Sequence, residues 1–346
     1  MITTEELTRF REELTTSEKP IFFFDDDPDG LCSFLLLYRF VKRGKGVVVK
    51  STPKLDATFF RKVEEFGPDK IFILDKPDVA QEFLDKAKEN NLKVVWLDHH
   101  PPQKRSPVEY YNPRLNDDKN NWPTSYWAYK VVNQDLWLAM AGTVGDWCLV
   151  DDLKAAFVEK YPTYLDAKTT APEKALFNSK IGKLVRIISF NLKGTSSEIN
   201  KAIRVLCRIE TPDEIMEQST ARGRLIYKRY EFLDKIYQSL IGSIKPTEDK
   251  LLYFTYKDLK TSFTSDLSNE LLYKYPEKVI LLAREKGGEM KCSIRSSDIV
   301  LPPLIEKALD GVDGYGGGHD NACGACIKID DFEKFLDTFR KGIDGV

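Results

Sequence analysis

Histidine is scarce in this sequence, and long apolar runs are missing. Only three of the 346 residues are histidine, and two of the three are adjacent. No stretch approaches the ~18 consecutive apolar residues that a membrane-spanning helix needs. The six cysteines are scattered, and the pair Cys323 and Cys326 has no second pair to complete a structural zinc site. We therefore expect a cytoplasmic protein with reduced thiols and no membrane contact.

An excess of charge of one sign is also missing. The net charge is −2, so no overall basic field indicates a nucleic-acid-binding protein. Any such contact would have to come from local basic patches or from phosphate bound at a metal. A hydrophobic fraction of 42% and a charged fraction of 31% are typical of a globular protein. A chain of 346 residues is long for one core, which favours two domains and a connection.

Short apolar strands alternate with helices in the first part of the chain. We predict strands at residues 21–24, 47–49, 71–74, 94–97 and 108–111. This alternation predicts an α/β fold whose N-terminal domain is a doubly wound parallel sheet. A helical connector and a smaller C-terminal α/β domain would follow. The predicted domain limits are 1–151, 152–248 and 249–346.

Acidic residues and the two adjacent histidines come directly after predicted strands and apolar runs. The candidates are Asp25, Asp27 and Asp29; Asp75; Asp98, His99 and His100; and Asp146. Ligands of an open α/β sheet bind beyond the carboxyl ends of its strands, where these side chains would converge. Carboxylates this close repel each other unless a cation lies between them. Oxygen donors with imidazole suit Mn²⁺ or Mg²⁺, so the pattern predicts a site for two such ions, with Asp75 as the candidate bridge.

A glycine-rich segment near the C-terminus carries the third histidine. Gly314 to Gly324 is predicted to be a turn whose backbone N–H groups can approach an anion, and it contains His319. With Arg295 as a bidentate donor, this segment predicts a substrate-phosphate site. Positive residues between 222 and 229 in the predicted connector have two interpretations, a solvated helix face or a nucleic-acid contact.

The order of these motifs resembles the DHH phosphoesterase superfamily, and within it the RecJ-like nucleases with a DHH-associated C-terminal domain, as in archaeal RecJ-like proteins. The four N-terminal motifs are similar to Asp25-x-Asp27-x-Asp29-Gly30, Asp75, Asp98-His99-His100 and Gly-Thr-Val-Gly-Asp146. The C-terminal motifs are similar to Arg295-Ser296 and Gly317-Gly318-His319. Many relatives have histidine where Asp25 stands, which leaves open which aspartates of the first motif bind metal directly.

The resemblance implies a role for each of these residues. The metal ligands would be Asp25, Asp27, Asp29, Asp75, His99 and Asp146, holding two Mn²⁺ ions, with Mg²⁺ as the alternative. Asp98 would orient His99, and His100 would contact the scissile phosphate. A neighbouring phosphate would be held by Arg295, Ser296, Gly317, Gly318 and His319.

Two enzymatic functions and one structural function are compatible with these motifs. The resemblance implies first a Mn²⁺-dependent exonuclease that hydrolyses single-stranded DNA or RNA to nucleoside monophosphates, beside replication or repair proteins. The second is a small-substrate phosphodiesterase or phosphatase, acting on a nano-oligonucleotide, a cyclic dinucleotide or a nucleoside bisphosphate, because the near-zero net charge fits a short substrate. The third is a scaffold in a replication complex, which would be expected to lose metal ligands, whereas every acidic motif here is complete.

Overall fold

A five-stranded parallel sheet organises the first part of the chain, in a computed structural model that describes residues 1–50, 54–257 and 261–345. Its strands are β1 Pro20–Asp25, β2 Lys45–Val49, β3 Lys70–Leu74, β4 Lys93–Leu97 and β5 Glu109–Tyr111. They lie in the order β2-β1-β3-β4-β5, and every neighbouring pair is parallel, as the sequence predicts. The carboxyl ends of β1, β3 and β4 therefore lie side by side.

Helices pack on this sheet, and further helices follow it in the sequence. They are α1 Thr4–Thr16, α2 Pro28–Val41, α3 Phe60–Phe66, α4 Gln81–Glu89, α5 Thr124–Val132, α6 Leu136–Gly145, α7 Asp151–Lys160, α8 Pro172–Asn178, α9 Lys180–Asn191, α10 Ser196–Leu206, α11 Pro212–Met216 and α12 Ala221–Ser243. None of the helices in the described ranges is long and apolar enough to cross a membrane.

Phenylalanines of β1 pack on both faces of the sheet. Phe23 lies in the core formed with α3 and α4, where its ring centroid is 5.4 Å from that of Phe83. Phe22 and Phe24 point to the opposite face, with ring centroids 5.6 and 4.5 Å from Phe34 of α2. A strand buried on both faces carries an uninterrupted apolar run, which is why the sequence shows no alternation there.

The chain divides into two compact units, Met1–Tyr230 and Glu231–Val346, and α12 runs across the boundary. The predicted domain limits at residues 151 and 248 are not tested by this division and stay predictions. The elements of the second unit that follow α12 are β6 Leu251–Tyr256, α13 Thr264–Lys274, β7 Val279–Lys286, β8 Glu289–Arg295, α14 Pro302–Ala308, β9 Gly314–His319, β10 Ala322–Lys328 and α15 Phe332–Asp344.

A mixed sheet forms the core of this second unit. Its strands lie in the order β6-β7-β8-β10-β9, with only the β6–β7 pair parallel. Apolar residues of β7, β8 and β10 pack on α14 and α15. The predicted smaller C-terminal α/β fold is confirmed.

The glycine-rich segment differs from its prediction as a turn. Residues 314–319 form the edge strand β9, and β10 begins at Ala322. Gly318 explains the difference: its φ is 149°, and a Cβ at this position would lie 2.4 Å from the carbonyl oxygen of Ala322. Glycine therefore permits a pairing with β10 that a side chain would block.

Candidate metal centre

Three strand ends and one helix end bring the predicted acidic residues together. Asp25 is the last residue of β1, Asp75 and Asp98 directly follow β3 and β4, and Asp146 directly follows α6. Gly30 lets α2 begin against the end of β1, because a Cβ at this glycine would lie 2.7 Å from the backbone nitrogen of Asp25. The site is therefore built mainly from residues at one edge of the parallel sheet.

Backbone N–H groups orient two aspartates of the first motif. Asp27 is the N-cap of α2, and its Oδ1 accepts a hydrogen bond of 2.8 Å from Gly30. Asp29 accepts hydrogen bonds from the backbone nitrogens of Thr124, at 2.8 Å, and Ser125, at 2.9 Å, in the first turn of α5. Asp29 and Thr124 are 95 residues apart in the sequence, so this contact could not be predicted from local pattern.

Asp25 has a different partner. The ammonium of Lys76 lies 3.0 Å from its Oδ1, and the side chain of Lys76 is only 1% exposed. The backbone nitrogen of Asp26 donates to the same oxygen at 2.9 Å. Sequence reasoning missed Lys76, because a lysine after a strand end is expected to reach solvent. The role of Asp25 as a metal ligand stays a prediction.

His99 presents an unpartnered nitrogen to the carboxylates. Its Nδ1 lies 2.9 Å from the carbonyl oxygen of Asn121 and donates to it, which leaves a lone pair on Nε2. The buried Nε2 has no hydrogen-bond partner among the described residues. It lies 3.4 Å from Asp75 Oδ1 and 3.6 Å from Asp146 Oδ2. Burial lowers the pKa of His99 and so favours the neutral form that binds metal.

Asp75 adopts a backbone conformation that is rare for a residue with a side chain. Its φ is 58°, and its N–H donates to the carbonyl oxygen of Leu97 at 2.9 Å. Its Oδ1 accepts a hydrogen bond of 3.1 Å from the hydroxyl of Thr124. Left-handed backbone at such a residue is strained, and strain of this kind concentrates at functional sites. The bend directs a fully buried carboxylate towards His99.

The carboxylates of Asp27, Asp75 and Asp146 in this cluster have raised pKa values. Burial, and then the charges of Asp25 and Asp29, raise the pKa of Asp27 to about 7. Burial, and then the charges of Asp29 and Asp27, raise the pKa of Asp75 and of Asp146 well above the ordinary value. Mutual repulsion of this kind is relieved by a cation.

The donor atoms fit a hard divalent metal. Two groups have ligand atoms that all lie within 4.8 Å of one another, namely Asp75, His99 and His100, and Asp29, His99 and Asp146. Carboxylate oxygens with one or two imidazole nitrogens and no thiolate suit Mn²⁺ or Mg²⁺. The unpartnered Nε2 of His99 supports this fit, since that atom otherwise loses a hydrogen bond on burial.

Asp98 orients His100 and not His99, which corrects the contact that the resemblance implies. Asp98 Oδ1 lies 2.8 Å from Nδ1 of His100, while Oδ2 accepts hydrogen bonds from the hydroxyl of Tyr110 and from Nδ2 of Asn112. The Nδ1 of His99 is already bonded to a backbone carbonyl. Burial opposes protonation of His100, but the hydrogen bond and charge of Asp98 raise its pKa above the ordinary value.

The predicted phosphate-binding residues form a separate cluster in the second unit. His319 and Arg295 flank Ala322 in the register of three adjacent strands, so both side chains lie on the same face of the sheet. Arg295 is held by hydrogen bonds from Nε to Asn269 and from Nη1 to the carbonyl oxygens of Ile294 and Cys323. The exposed strand β9 beside them contains Gly317 and Gly318.

Ser296 follows Arg295 directly and shapes the turn after β8. Its hydroxyl accepts a hydrogen bond of 2.9 Å from the backbone nitrogen of Ile299, and its own N–H donates to Asn321. The substrate contact predicted for Ser296 stays a prediction.

Comparison with known proteins identifies two domain families in this chain. The DHH family N-terminal domain matches residues 21–144, and the DHHA1 domain matches residues 248–344. No curated protein matches the chain by sequence.

Three solved structures share the fold at low sequence identity. RecJ of Thermus thermophilus in complex with Mn²⁺ has a TM-score of 0.70 and 16% identity over 99% of this chain, which spans only 54% of that RecJ. An exonuclease RecJ bound to manganese has a TM-score of 0.64 and 16% identity. The match covers 99% of this chain and 94% of that RecJ. The pGpG-specific phosphodiesterase PggH from Vibrio cholerae has a TM-score of 0.52 and 14% identity. The match covers 95% of this chain and 99% of PggH.

Proposed function

Because this chain belongs to the DHH phosphoesterase superfamily and carries a DHHA1 domain, we propose that it is a Mn²⁺-dependent exonuclease. Its substrate is single-stranded nucleic acid, DNA or RNA, and its products are nucleoside monophosphates. The observation that carries the proposal is the buried Nε2 of His99, which lacks a hydrogen-bond partner among the described residues and faces Asp75 and Asp146. Buried polar atoms normally have a hydrogen-bond partner, so a nitrogen without one that faces two carboxylates is suited to a metal ligand.

The metal ligands in this proposal are Asp27, Asp29, Asp75, His99 and Asp146, with Asp25 as a further candidate. Two divalent cations held there would supply Lewis-acid polarisation of a phosphoryl group and of the attacking water. Mn²⁺ is proposed over Mg²⁺ because an imidazole joins the carboxylates. The carboxylates are held by backbone N–H groups and by Thr124, so the site is preorganised before a cation or a substrate binds.

His100 is the proposed contact for the scissile phosphate. Asp98 fixes its Nδ1 at 2.8 Å and favours the protonated ring, so that Nε2–H can donate to a phosphate oxygen or to the leaving oxygen. The imidazole is 31% exposed, in contrast to the 9% of His99, and can meet a substrate. The two adjacent histidines thus have different functions: His99 binds metal and His100 binds phosphate.

The second unit is proposed to hold another phosphate of the substrate. Arg295 uses Nε and Nη1 within the protein, which fixes the plane of the guanidinium and leaves Nη2 for an anion. The exposed backbone of Gly317 and Gly318 lies on the strand that ends at His319, where a phosphate can approach without meeting a Cβ. Replication or repair proteins are proposed as partners.

A small-substrate phosphodiesterase is the second candidate. The fold shared with a pGpG-specific phosphodiesterase and the net charge of −2 favour it, because a dinucleotide needs no extended basic surface. The same metal centre would serve both activities.

A series of end-labelled substrates of graded length, from dinucleotides to long single strands, separates the candidates. Assayed with Mn²⁺, an exonuclease degrades the long strands to monophosphates, whereas a small-substrate enzyme acts on dinucleotides or cyclic dinucleotides alone. Asp75→Asn is expected to abolish hydrolysis, and Asp118→Asn, the same change at an exposed position, serves as the control. If no substrate is hydrolysed, both enzymatic functions are excluded and the scaffold remains.

A further inference from the structure

A groove of about 1220 Å³ lies in the first unit. It follows the outer edge of β2, with α2 on one side and α10 opposite. β2 is an edge strand, paired only with β1 among the described strands. N–H groups on its outer edge can therefore donate hydrogen bonds to a ligand in the groove.

The lining of this groove is strongly basic, although the whole chain has a net charge of −2. The positive side chains are Arg39, Lys42, Lys45, Lys50, Lys62, Arg204, Arg208 and Arg222. Only two acidic residues line it, Asp135 and Glu210, and Asp135 is paired with Arg39 at 2.8 Å. A concentration of one sign in a concave surface raises the local concentration of anions.

Most of these cations are available to a ligand. Within the described residues, no carboxylate forms an ion pair with Lys42, Lys45, Lys50, Arg204 or Arg208, whereas Lys62 is paired with a neighbour on its own helix. Of these five cations, all but Lys45 are exposed. They come from two sides, three from the chain around β2 and two from α10 and its end.

One end of the groove lies beside Asp25, next to the candidate metal centre. Lys50 follows β2, and its carbonyl oxygen accepts a hydrogen bond of 3.5 Å from Lys76, which in turn bonds Asp25. Val49 is the register partner of Asp25. From Lys45 to Lys50 the strand advances about 16 Å, because each residue adds about 3.3 Å. An extended ligand in the groove would therefore run along β2 towards the acidic cluster.

We propose that this groove binds the phosphate backbone of single-stranded nucleic acid, as a second binding region of the proposed exonuclease. The proposal rests on the proposed function for the identity of the anion. An alternative role for lysines on an edge strand is to prevent aggregation through that edge. That role does not account for Arg204 and Arg208 on the opposite wall. The groove would hold the strand beyond the nucleotide that is cleaved, and so favour long strands over dinucleotides.

Salt-dependent binding tests this groove. The full chain is kept in EDTA to prevent hydrolysis, and its affinity for a labelled single strand of about 20 nucleotides is measured by fluorescence anisotropy over a range of salt. The variant Lys42→Glu/Lys45→Glu/Arg208→Glu is expected to lose affinity at least about tenfold at 0.1 M salt. Its slope of log affinity against log salt should become flatter by about 2, since each phosphate contact contributes about 0.7 for single strands.

A matched control carries the same charge change elsewhere in the first unit. Lys88→Glu/Lys168→Glu/Lys174→Glu alters three exposed lysines outside the groove lining and should bind as the wild type does. Circular dichroism verifies that both triple variants are folded. An unchanged affinity and slope in the groove variant, or an equal loss in the control, would overturn the proposal. Release of nucleoside monophosphates from a long single strand by the wild type in Mn²⁺ tests the proposed function independently, so the two failures are distinguishable.

Discussion

The buried ammonium of Lys76 and the carboxylate of Asp25 form an ion pair at 3.0 Å beside the metal centre. Lys76 is 1% exposed and directly follows the strained residue Asp75. The pair neutralises one carboxylate of a crowded acidic cluster without a metal. It also fixes the end of β1, which carries Asp25, relative to the turn after β3, which carries Asp75.

Removing the ammonium of Lys76 is expected to destabilise the protein strongly. Lys76→Met should lower the free energy of unfolding by about 3–5 kcal/mol, because it leaves a buried carboxylate without its partner. The double variant Lys76→Met/Asp25→Asn should recover part of this loss. Urea unfolding measures both.

The exposed pair of Lys62 and Glu65 provides the matched control, since its atoms are also 3.0 Å apart. Lys62→Met should cost less than about 1 kcal/mol, as surface ion pairs contribute little. If Lys76→Met is no worse than Lys62→Met, the buried pair does not stabilise the fold.

Replacing His99 is expected to weaken metal binding. His99→Gln should lower the affinity for Mn²⁺ at least about tenfold, because it removes the imidazole that faces Asp75 and Asp146. Isothermal titration calorimetry measures this directly, without substrate. His319→Gln makes the same change in the second unit and should leave Mn²⁺ affinity unaltered while raising KM. Wild-type Mn²⁺ affinity in His99→Gln would contradict the assignment of this residue as a ligand.

Replacing Asp98 is expected to affect the pH dependence of hydrolysis more than metal binding. Asp98 raises the pKa of His100, so Asp98→Asn should lower that pKa. If protonated His100 contacts the phosphate, activity declines as pH rises through its pKa, and the alkaline limb of the kcat profile should move to lower pH. We also expect kcat to fall by about 10–100-fold, because the imidazole loses its orienting partner.

Tyr110→Phe is the control for this experiment, since it removes the hydrogen bonds of the Tyr110 hydroxyl with Asp98 and Asn112 but leaves the Asp98 carboxylate and its contact with His100 in place. It should shift the profile less than Asp98→Asn does. An alkaline limb that stays in place in Asp98→Asn would argue against a protonated His100 in catalysis.

Without metal, the protein is expected to lose stability as pH rises. The pKa of Asp27 is about 7 in the folded protein, against an ordinary value of 3.8, so the folded state binds more protons between those two values. The free energy of unfolding must then fall as pH increases through this window. Urea unfolding in EDTA should give a lower midpoint at pH 8 than at pH 5.5, and Mn²⁺ should restore the midpoint at pH 8.

Asp27→Asn tests the cause of that pH dependence. The asparagine cannot titrate, so the difference in midpoint between pH 5.5 and pH 8 should shrink in the variant. The raised pKa values of Asp75 and Asp146 act in the same direction and should leave part of the effect. An equal difference in wild type and variant would mean that Asp27 does not contribute.

The sequence by itself determined the five strands of the parallel sheet and the residues at their ends, but it did not predict the edge strand β9. The run Ile21 to Phe24 can only be a buried strand, because four apolar residues between a proline and an aspartate have no amphipathic period. The carboxylates and histidines that follow such runs are local facts of the chain. Their convergence could be predicted because parallel strands share one carboxyl edge.

Only the tertiary structure decided which partner each of these groups has. That Lys76 bonds Asp25, that Asp98 bonds His100 and that α5 holds Asp29 depend on side-chain directions and on contacts between distant segments. The basic groove was not predicted as a surface, because its cations come from segments as far apart in the sequence as Arg39 and Arg222. The spacing of apolar residues and the turn residues determine each strand or helix from its own stretch of sequence. The partner of a charged or polar side chain depends on which elements pack beside it, and this is decided only in the folded chain.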